Sequence, residues 1–342
     1  MQIRVATTDD QPAWDEYVHS HPEGLAYQLF AWKQAVTQAY GFEGKYLLAE
    51  SSGNICGVLP LIKLRVPLRG ESYISLPYCD AGGVLADSLD VATKLLGSAF
   101  ESSPRCEIRS AIELSSGLSN QTDKVRMLLE LPLSSEELLS RLKSKLRSQV
   151  KKPIRDGLTV KTGGEELVEI FYRIFAVNMR DLGSPVHSLL WIKSVVKTYA
   201  ENCRVAVVYT PDGEPAAAGI VLLQRQTVSI PWASALREYN RLNPNMLPYW
   251  TFLQLAADNG YCYFDFGRST PGEGTYKFKQ QWGAQPKPLY WYQQPEASNT
   301  ISDEMADSAK LSKRDLLVGI WQKLPVPVAT TIGSQVRKYI SL

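Results

Sequence analysis

Strands and helices alternate twice along this chain in a similar order, helices first and a hairpin-rich sheet after, and that doubling restricts the folds open to it. In the first half, Met1–Thr7 reads as a strand and Asp9–Ser20 as a helix. Tyr27–Tyr40 reads as a second helix, with Leu29, Trp32, Ala35, Val36 and Ala39 near a 3.6-residue period. Strands Gly44–Ser51 and Ile55–Val66 flank the turn Ser52-Gly53-Asn54. Strand Ser72–Pro77, helix Val91–Glu101 and strands Cys106–Ser110 and Lys124–Leu131 follow. The second half offers strand Leu158–Lys161 and helices Glu165–Arg180 and Ser188–Glu201. A hairpin, Arg204–Thr210 with Ala216–Gln224, turns across Pro211-Asp212-Gly213. Strand Thr227–Ser234, helix Asn243–Asn259 and strands Tyr261–Phe266 and Leu289–Trp291 complete it. The order implies an α/β (α+β) protein of two related units, and 342 residues suffice for two domains.

A net charge of +2 removes bulk electrostatics as a reason to bind nucleic acid or membranes, so any acidic partner must be met by a local cluster. The five cysteines (Cys56, Cys79, Cys106, Cys203, Cys262) form no CxxC pair and read as reduced, mostly buried thiols. With only His19, His21 and His187 beside them, no metal site is expected. The first residues lack the apolar stretch of a signal peptide, and no run approaches a spanning helix. A cytoplasmic location is therefore expected, with peripheral contact at the inner membrane face left open for 312–342. That tail carries Trp321, Leu324, Val326, Val328, Ile332, Val336 and Ile340 among basic residues, and either docks on the body or lies on a membrane surface.

Two segments carry the chemistry. Ser134–Arg155 reads as one helix with Leu138, Leu139, Leu142, Leu146 and Val150 on a face. Arg141, Lys143, Lys145, Arg147, Lys151, Lys152 and Arg155 crowd it, and Pro153 should end or kink it. This is either a solvated basic face or one turned toward phosphate. The second segment, Phe264–Ala284, reads FDFGRSTPGEGTYKFKQQWGA. Its strand stops at Gly267, a loop with Arg268, Gly272, Glu273 and Gly274 follows, and a short helix then carries Lys277 and Lys279. A strand ending in a Gly-rich turn before a helix leaves backbone N–H groups free for an anion.

That second segment resembles the signature of FemAB-like proteins, in the acyltransferase superfamily that includes the GNAT N-acetyltransferases. The subgroup associated with exosortase/PEP-CTERM sorting and exopolysaccharide loci is the most similar. Gly57-Val58-Leu59-Pro60-Leu61, Ser75-Leu76-Pro77 with Gly82-Gly83, Met179 to Pro185, Asn243 to Trp250 and Trp321-Gln322-Lys323-Leu324-Pro325 agree with it. The resemblance implies two tandem GNAT-like domains with mixed, largely antiparallel sheets flanked by helices. They would lie at 1–133 and 134–295, with a linker and amphipathic helical tail over 296–342. It also implies transfer of an acyl or aminoacyl group to an amine. Fem enzymes often carry a coiled-coil arm for tRNA, and no heptad run of useful length occurs here. The donor stays open between acyl-CoA and aminoacyl-tRNA, and nucleic acid is a partner only in the second case.

Acyl transfer to an amine needs a neutral amine, an in-line carbonyl and a stabilised oxyanion, but no covalent nucleophile. By resemblance Lys279 takes the oxyanion role. Helical spacing puts Tyr276 and Gly283 on its face and Phe278 with Trp282 on another, so Tyr276 is a candidate proton or hydrogen-bond donor. Asp265 is the candidate base among Asp265, Glu273 and Asp80. Arg268, just past the strand end, suits phosphate or carboxylate, or else pairs with Asp265 or Glu273. Gly272 and Gly274 would admit a ligand to the backbone. Trp232 and Asn243 are candidates for an acceptor pocket, and Arg147, Lys151 and Arg180 for phosphate. The expected acceptor is a nucleotide- or lipid-linked sugar or peptide precursor of the envelope or an exopolysaccharide. The rival readings are an acetyl-CoA-dependent N-acetyltransferase and a non-catalytic module that binds polysaccharide or a sorting partner.

Overall fold

The computed structural model describes residues 1–67, 70–102, 105–114, 120, 122–293 and 315–341. The expected linker, Glu296–Ala309, lies outside the described residues.

The first sheet is built from β1 (Gln2–Val5), β2 (Gly44–Ser51), β3 (Asn54–Val66), β4 (Gly70–Ile74), β5 (Leu85–Ala86) and β6 (Cys106–Ser110). β2 and β3 are joined by Ser52 and Gly53 with φ of 53° and 81°, the left-handed pair that lets a two-residue turn follow the twist of its strands. The second sheet runs β13-β7-β12-β11-β10-β9-β8. Its strands are β7 (Val125–Glu130), β8 (Thr159–Gly163), β9 (Cys203–Tyr209), β10 (Pro215–Gln224), β11 (Thr227–Ala235), β12 (Tyr263–Ser269) and β13 (Gln285–Pro288). β14 (Tyr290–Gln293) returns to the first sheet, antiparallel to β6. So β7, which precedes residue 134, completes the second sheet, and β14, from the second half, completes the first. Each sheet is antiparallel except for one parallel pair, β4 with β6 and β11 with β12.

Side-chain alternation sorts the helices into layers. Helix α1 (Gln11–Ser20) and helix α2 (Phe30–Tyr40) pack on the face of the first sheet that carries Tyr46, Leu48 and Val58. Its other face, with Leu47, Leu59 and Leu61, packs on α3 (Leu89–Ser102). In the second sheet Ile220 and Leu222 meet α6 (Val168–Asp181) and α7 (Leu189–Tyr199). Val221 and Leu223 face α8 (Met246–Asp258) from the other side. The two halves close on each other through α2 and α7, where fully buried Trp32 and Trp191 meet edge to face at 5.0 Å.

Ser134–Arg155 forms two helices, α4 (Ser135–Arg141) and α5 (Ser144–Arg155). The chain turns extended at Leu142 and Lys143, which buries Leu142, and the Arg147 guanidinium donates to the Leu142 and Ser140 carbonyls at 2.5 and 3.2 Å. Arg147 thus satisfies the end of α4. Pro153 lies buried inside α5, which ends two residues later before Gly157, at φ 83°. The tail docks on the body. Helix Val326–Val336 packs on α6, with Gly333 so close that a Cβ would come within 2.9 Å of the Val186 nitrogen. Among the described residues no helix is long and apolar enough to cross a membrane.

Candidate active site

β11 and β12 pair in parallel only from Thr227–Ser229 to Tyr263–Asp265, and then separate. Each strand carries an extra residue where they part. On β11, Ile230 and Pro231 stand opposite the single Val221, since the register shifts between Ile220 and Leu222. Pro231 lacks the N–H a ladder needs, and a bulge is where a strand tolerates that. On β12 the register against β7 shifts between Asp265 and Arg268, with Gly267 at φ 73°. Bulges bend strands and re-aim side chains. Here they open a cavity of about 260 Å³ at the carboxyl ends of a parallel pair, a place where open α/β sheets bind ligands. The first sheet covers it: past β4 the chain passes Leu76 and Tyr78, both at positive φ, and brings Asp80 to the cavity wall.

Lys279 reaches this cavity from α9 (Gly274–Gln281). Phe278 and Trp282 anchor that helix against Tyr249, at ring distances of 5.0 and 6.3 Å. The Lys279 side chain is buried, and its Nζ donates to the carbonyls of Gly267 at 3.1 Å and Arg268 at 2.7 Å. Those carbonyls belong to residues at the bulge. Burial pushes the Lys279 amine down to about 8; Arg268 pushes the same way, and Asp80 and Asp265 oppose it. An ammonium has three hydrogens. Two are held by carbonyls, and the third has no hydrogen-bond partner among the described residues.

Asp265 lies beneath this arrangement and does not line the cavity. Its Oδ1 accepts the Gly267 N–H at 2.8 Å, and its Oδ2 lies 3.1 Å from Arg126 Nε. Burial raises its carboxyl, against the pull of Arg126 and the Gly267 N–H. Its carboxyl is absent from the cavity lining, and its oxygens meet Gly267 and Arg126 at the bulge, so the residue expected as a base sits as a brace behind the cavity wall. Arg268 pairs with Asp80 instead of Asp265 or Glu273. Asp80 Oδ2 accepts the Arg268 backbone N–H at 2.9 Å, and Oδ1 lies 3.4 Å from its Nε. The Arg268 guanidinium sits 5.4 Å from the Trp291 ring, whose Nε1 donates to the Asp80 carbonyl at 3.1 Å. β14 thereby steadies Asp80 and Arg268 together.

Of the other candidates, Trp232 lines the cavity, parallel to Trp32 at 6.5 Å. Gly272, Glu273 and Gly274 are exposed and outside the cavity lining. Tyr276 packs with Phe278 against the apolar cluster under α9 and is outside the cavity lining. Asn243, at φ 53°, closes the turn before α8. Lys151 is exposed on α5, and Arg180 bonds Asp181 and the Leu324 carbonyl, tying down the tail. Sequence reasoning did not single out Tyr27, Tyr78, His187 or Arg337 for the cavity wall. Burial holds His187 well below its ordinary value, with Arg337 adding to the effect, so its imidazole is neutral. These residues come from distant elements, and no local pattern links them.

Residues 140–280 match the family described as "Acetyltransferase (GNAT) domain". The fold is similar to that of FemX, with 15% identity, 85% of this chain and 97% of that chain covered, and a TM-score of 0.67. It is similar to the C-terminal domain of a putative lysylphosphatidylglycerol synthetase from Agrobacterium fabrum, with 14% identity, 92% and 97% covered, and a TM-score of 0.58. L-PGS from Bacillus licheniformis matches with 13% identity, 92% and 98% covered, and a TM-score of 0.56. No curated protein matches the sequence. The chain has a FemAB/GNAT-like fold with two mixed sheets flanked by helices.

Proposed function

We propose that this protein is an acyltransferase that moves an acyl or aminoacyl group onto an amine, with the reacting carbonyl held in the cavity between β11 and β12. The observation that carries this reading is the Lys279 ammonium, buried, fixed by two backbone carbonyls and left with one hydrogen at the cavity. As an amine attacks the acyl carbon, the carbonyl oxygen gains charge. A pre-positioned ammonium in a desolvated site stabilises that charge with little rearrangement. Asp80 is the one carboxylate on the cavity wall among the described residues, and it takes the proton that the attacking amine must lose, directly or through water. Lys279 and Asp80 come from different halves, so the reaction needs both.

The acceptor in this reading is an amine on a nucleotide- or lipid-linked precursor of the envelope or an exopolysaccharide, met in the cytoplasm or at the inner membrane face. The FemAB-like signature in 264–284 supports it, as does the fold shared with a putative lysylphosphatidylglycerol synthetase. The donor in this reading is an acyl-CoA or an aminoacyl-tRNA. The test is a screen of acyl-CoA and aminoacyl-tRNA donors against such amines, repeated with Lys279→Met. The variant is expected to lose about 100- to 1,000-fold in kcat with its fold retained. Full activity in a folded Lys279→Met protein refutes the reading, and tight acetyl-CoA binding by calorimetry selects the CoA donor.

A further inference from the structure

The cavity carries more positive charge than acyl transfer alone requires. Three cations, Arg268, Lys279 and Arg337, line it against the single carboxylate of Asp80. Asp80 is already paired with Arg268. Arg337 comes from the C-terminal tail, far from the others in sequence, and that tail is fastened at several points around it. Tyr78 donates its backbone N–H to the Ser341 carbonyl at 2.7 Å and its hydroxyl to the Lys338 carbonyl at 2.6 Å. Arg109 donates to the Ser341 carbonyl at 3.1 Å and to its Oγ at 2.8 Å. Arg180 holds the Leu324 carbonyl at 3.1 Å. One terminal nitrogen of Arg337 donates to the Ile340 carbonyl at 2.6 Å, while its buried Nε has no hydrogen-bond partner among the described residues.

A half-buried guanidinium whose buried Nε is an unused donor, in one cavity with a second guanidinium and an ammonium, is unfavourable unless an anion completes it. We infer that Arg337 and Arg268 form a subsite for the phosphate or diphosphate of a substrate, and that the C-terminal tail is therefore a wall of the binding site. Guanidinium groups approaching from separate elements suit a phosphoryl group with several acceptor oxygens. At roughly 30 Å³ per water molecule, a void of this size holds several waters that such a group displaces. The inference rests on the acyl-transfer reading only for which substrate bears the phosphate. Either the diphosphate of a CoA-type donor or that of a nucleotide- or lipid-linked acceptor supplies the same chemistry.

The experiment is calorimetric titration of the full chain with inorganic pyrophosphate, then with coenzyme A, a UDP-sugar and a short prenyl diphosphate. Wild type is expected to bind pyrophosphate. Arg337→Gln is expected to weaken it about 10- to 100-fold, as for loss of a charge-assisted hydrogen bond. Lys323→Gln, which removes an exposed charge elsewhere on the tail, is expected to leave it unchanged. Among the larger ligands, the one whose affinity falls with Arg337→Gln identifies the source of the phosphate. Wild-type protein that ignores pyrophosphate, or a folded Arg337→Gln protein that binds it equally well, overturns the inference. Should Arg337→Gln not fold, limited trypsin digestion of wild type decides: pyrophosphate is expected to slow cleavage after Arg337, and an unchanged rate overturns the subsite. Lys279→Met separates this outcome from the acyl-transfer reading, because it should lose turnover while still binding pyrophosphate.

Discussion

Lys279 holds a charge in a place that disfavours it, and the consequence is measurable without knowing the substrate. Its amine lies at about 8 in the folded protein against an ordinary 10.5. At about 1.4 kcal/mol per unit, the folded state carries the proton at a penalty of about 3 kcal/mol. Below the folded value both states are protonated and the full penalty applies. Between the two values the unfolded chain holds a proton that the folded chain has lost, so stability rises with pH, and the penalty disappears above the unfolded value. Lys279→Met removes the titration but also strips two carbonyls of their donor, so its stability at a single pH is not diagnostic. The difference between the two proteins as a function of pH is, because other titrating groups cancel. Urea unfolding of both from about pH 7 to about pH 9.5 should show wild type gaining about 2 kcal/mol on the variant. A difference that stays flat across that range refutes the idea of a desolvated ammonium. The same titration should appear in the rate. If the ammonium stabilises an oxyanion, kcat falls as pH rises through about 8, and a rise there would mean that the neutral amine acts as a base.

Gly267→Ala places a Cβ 3.5 Å from Asp80 Oδ2, an ordinary contact, so its effect is that of φ 73°, roughly 1–2 kcal/mol of stability in urea unfolding. It should lower kcat further by moving the carbonyl that holds Lys279. Asp265→Ala should destabilise by about 3–5 kcal/mol, because it strands Arg126 in a buried site. A normal melting temperature with abolished turnover would instead return Asp265 to the role of base.

Much of the fold was legible because local rules decided it. The period of Trp32, Ala35 and Val36 gave α2, and Pro211-Asp212-Gly213 gave the β9–β10 hairpin. The break at Leu142-Lys143 was hidden, since it serves the burial of Leu142 and is sealed by Arg147 one turn later. The polar strand Gln285–Pro288 carried no apolar alternation and became visible only through its pairing with β7. At the candidate site, Lys279, Arg268 and Trp232 were legible, from the motif or as pocket-type residues. Asp80 was noticed only as an acid in a glycine-flanked loop. Arg337 gave no signal, because its place depends on a tail that docks across the whole molecule.

The crossing of β7 into the second sheet and β14 into the first makes the two halves unequal to independence. Cutting the chain at either halfway point leaves one piece with an unmatched edge and the other with a strand that has nowhere to pair. During synthesis the first sheet stays one strand short until almost all of the second half has emerged, so the halves mature together. A gene that arose by doubling would, with this arrangement, have lost the option of being divided again, and neither half is free to drift away from the cavity they share.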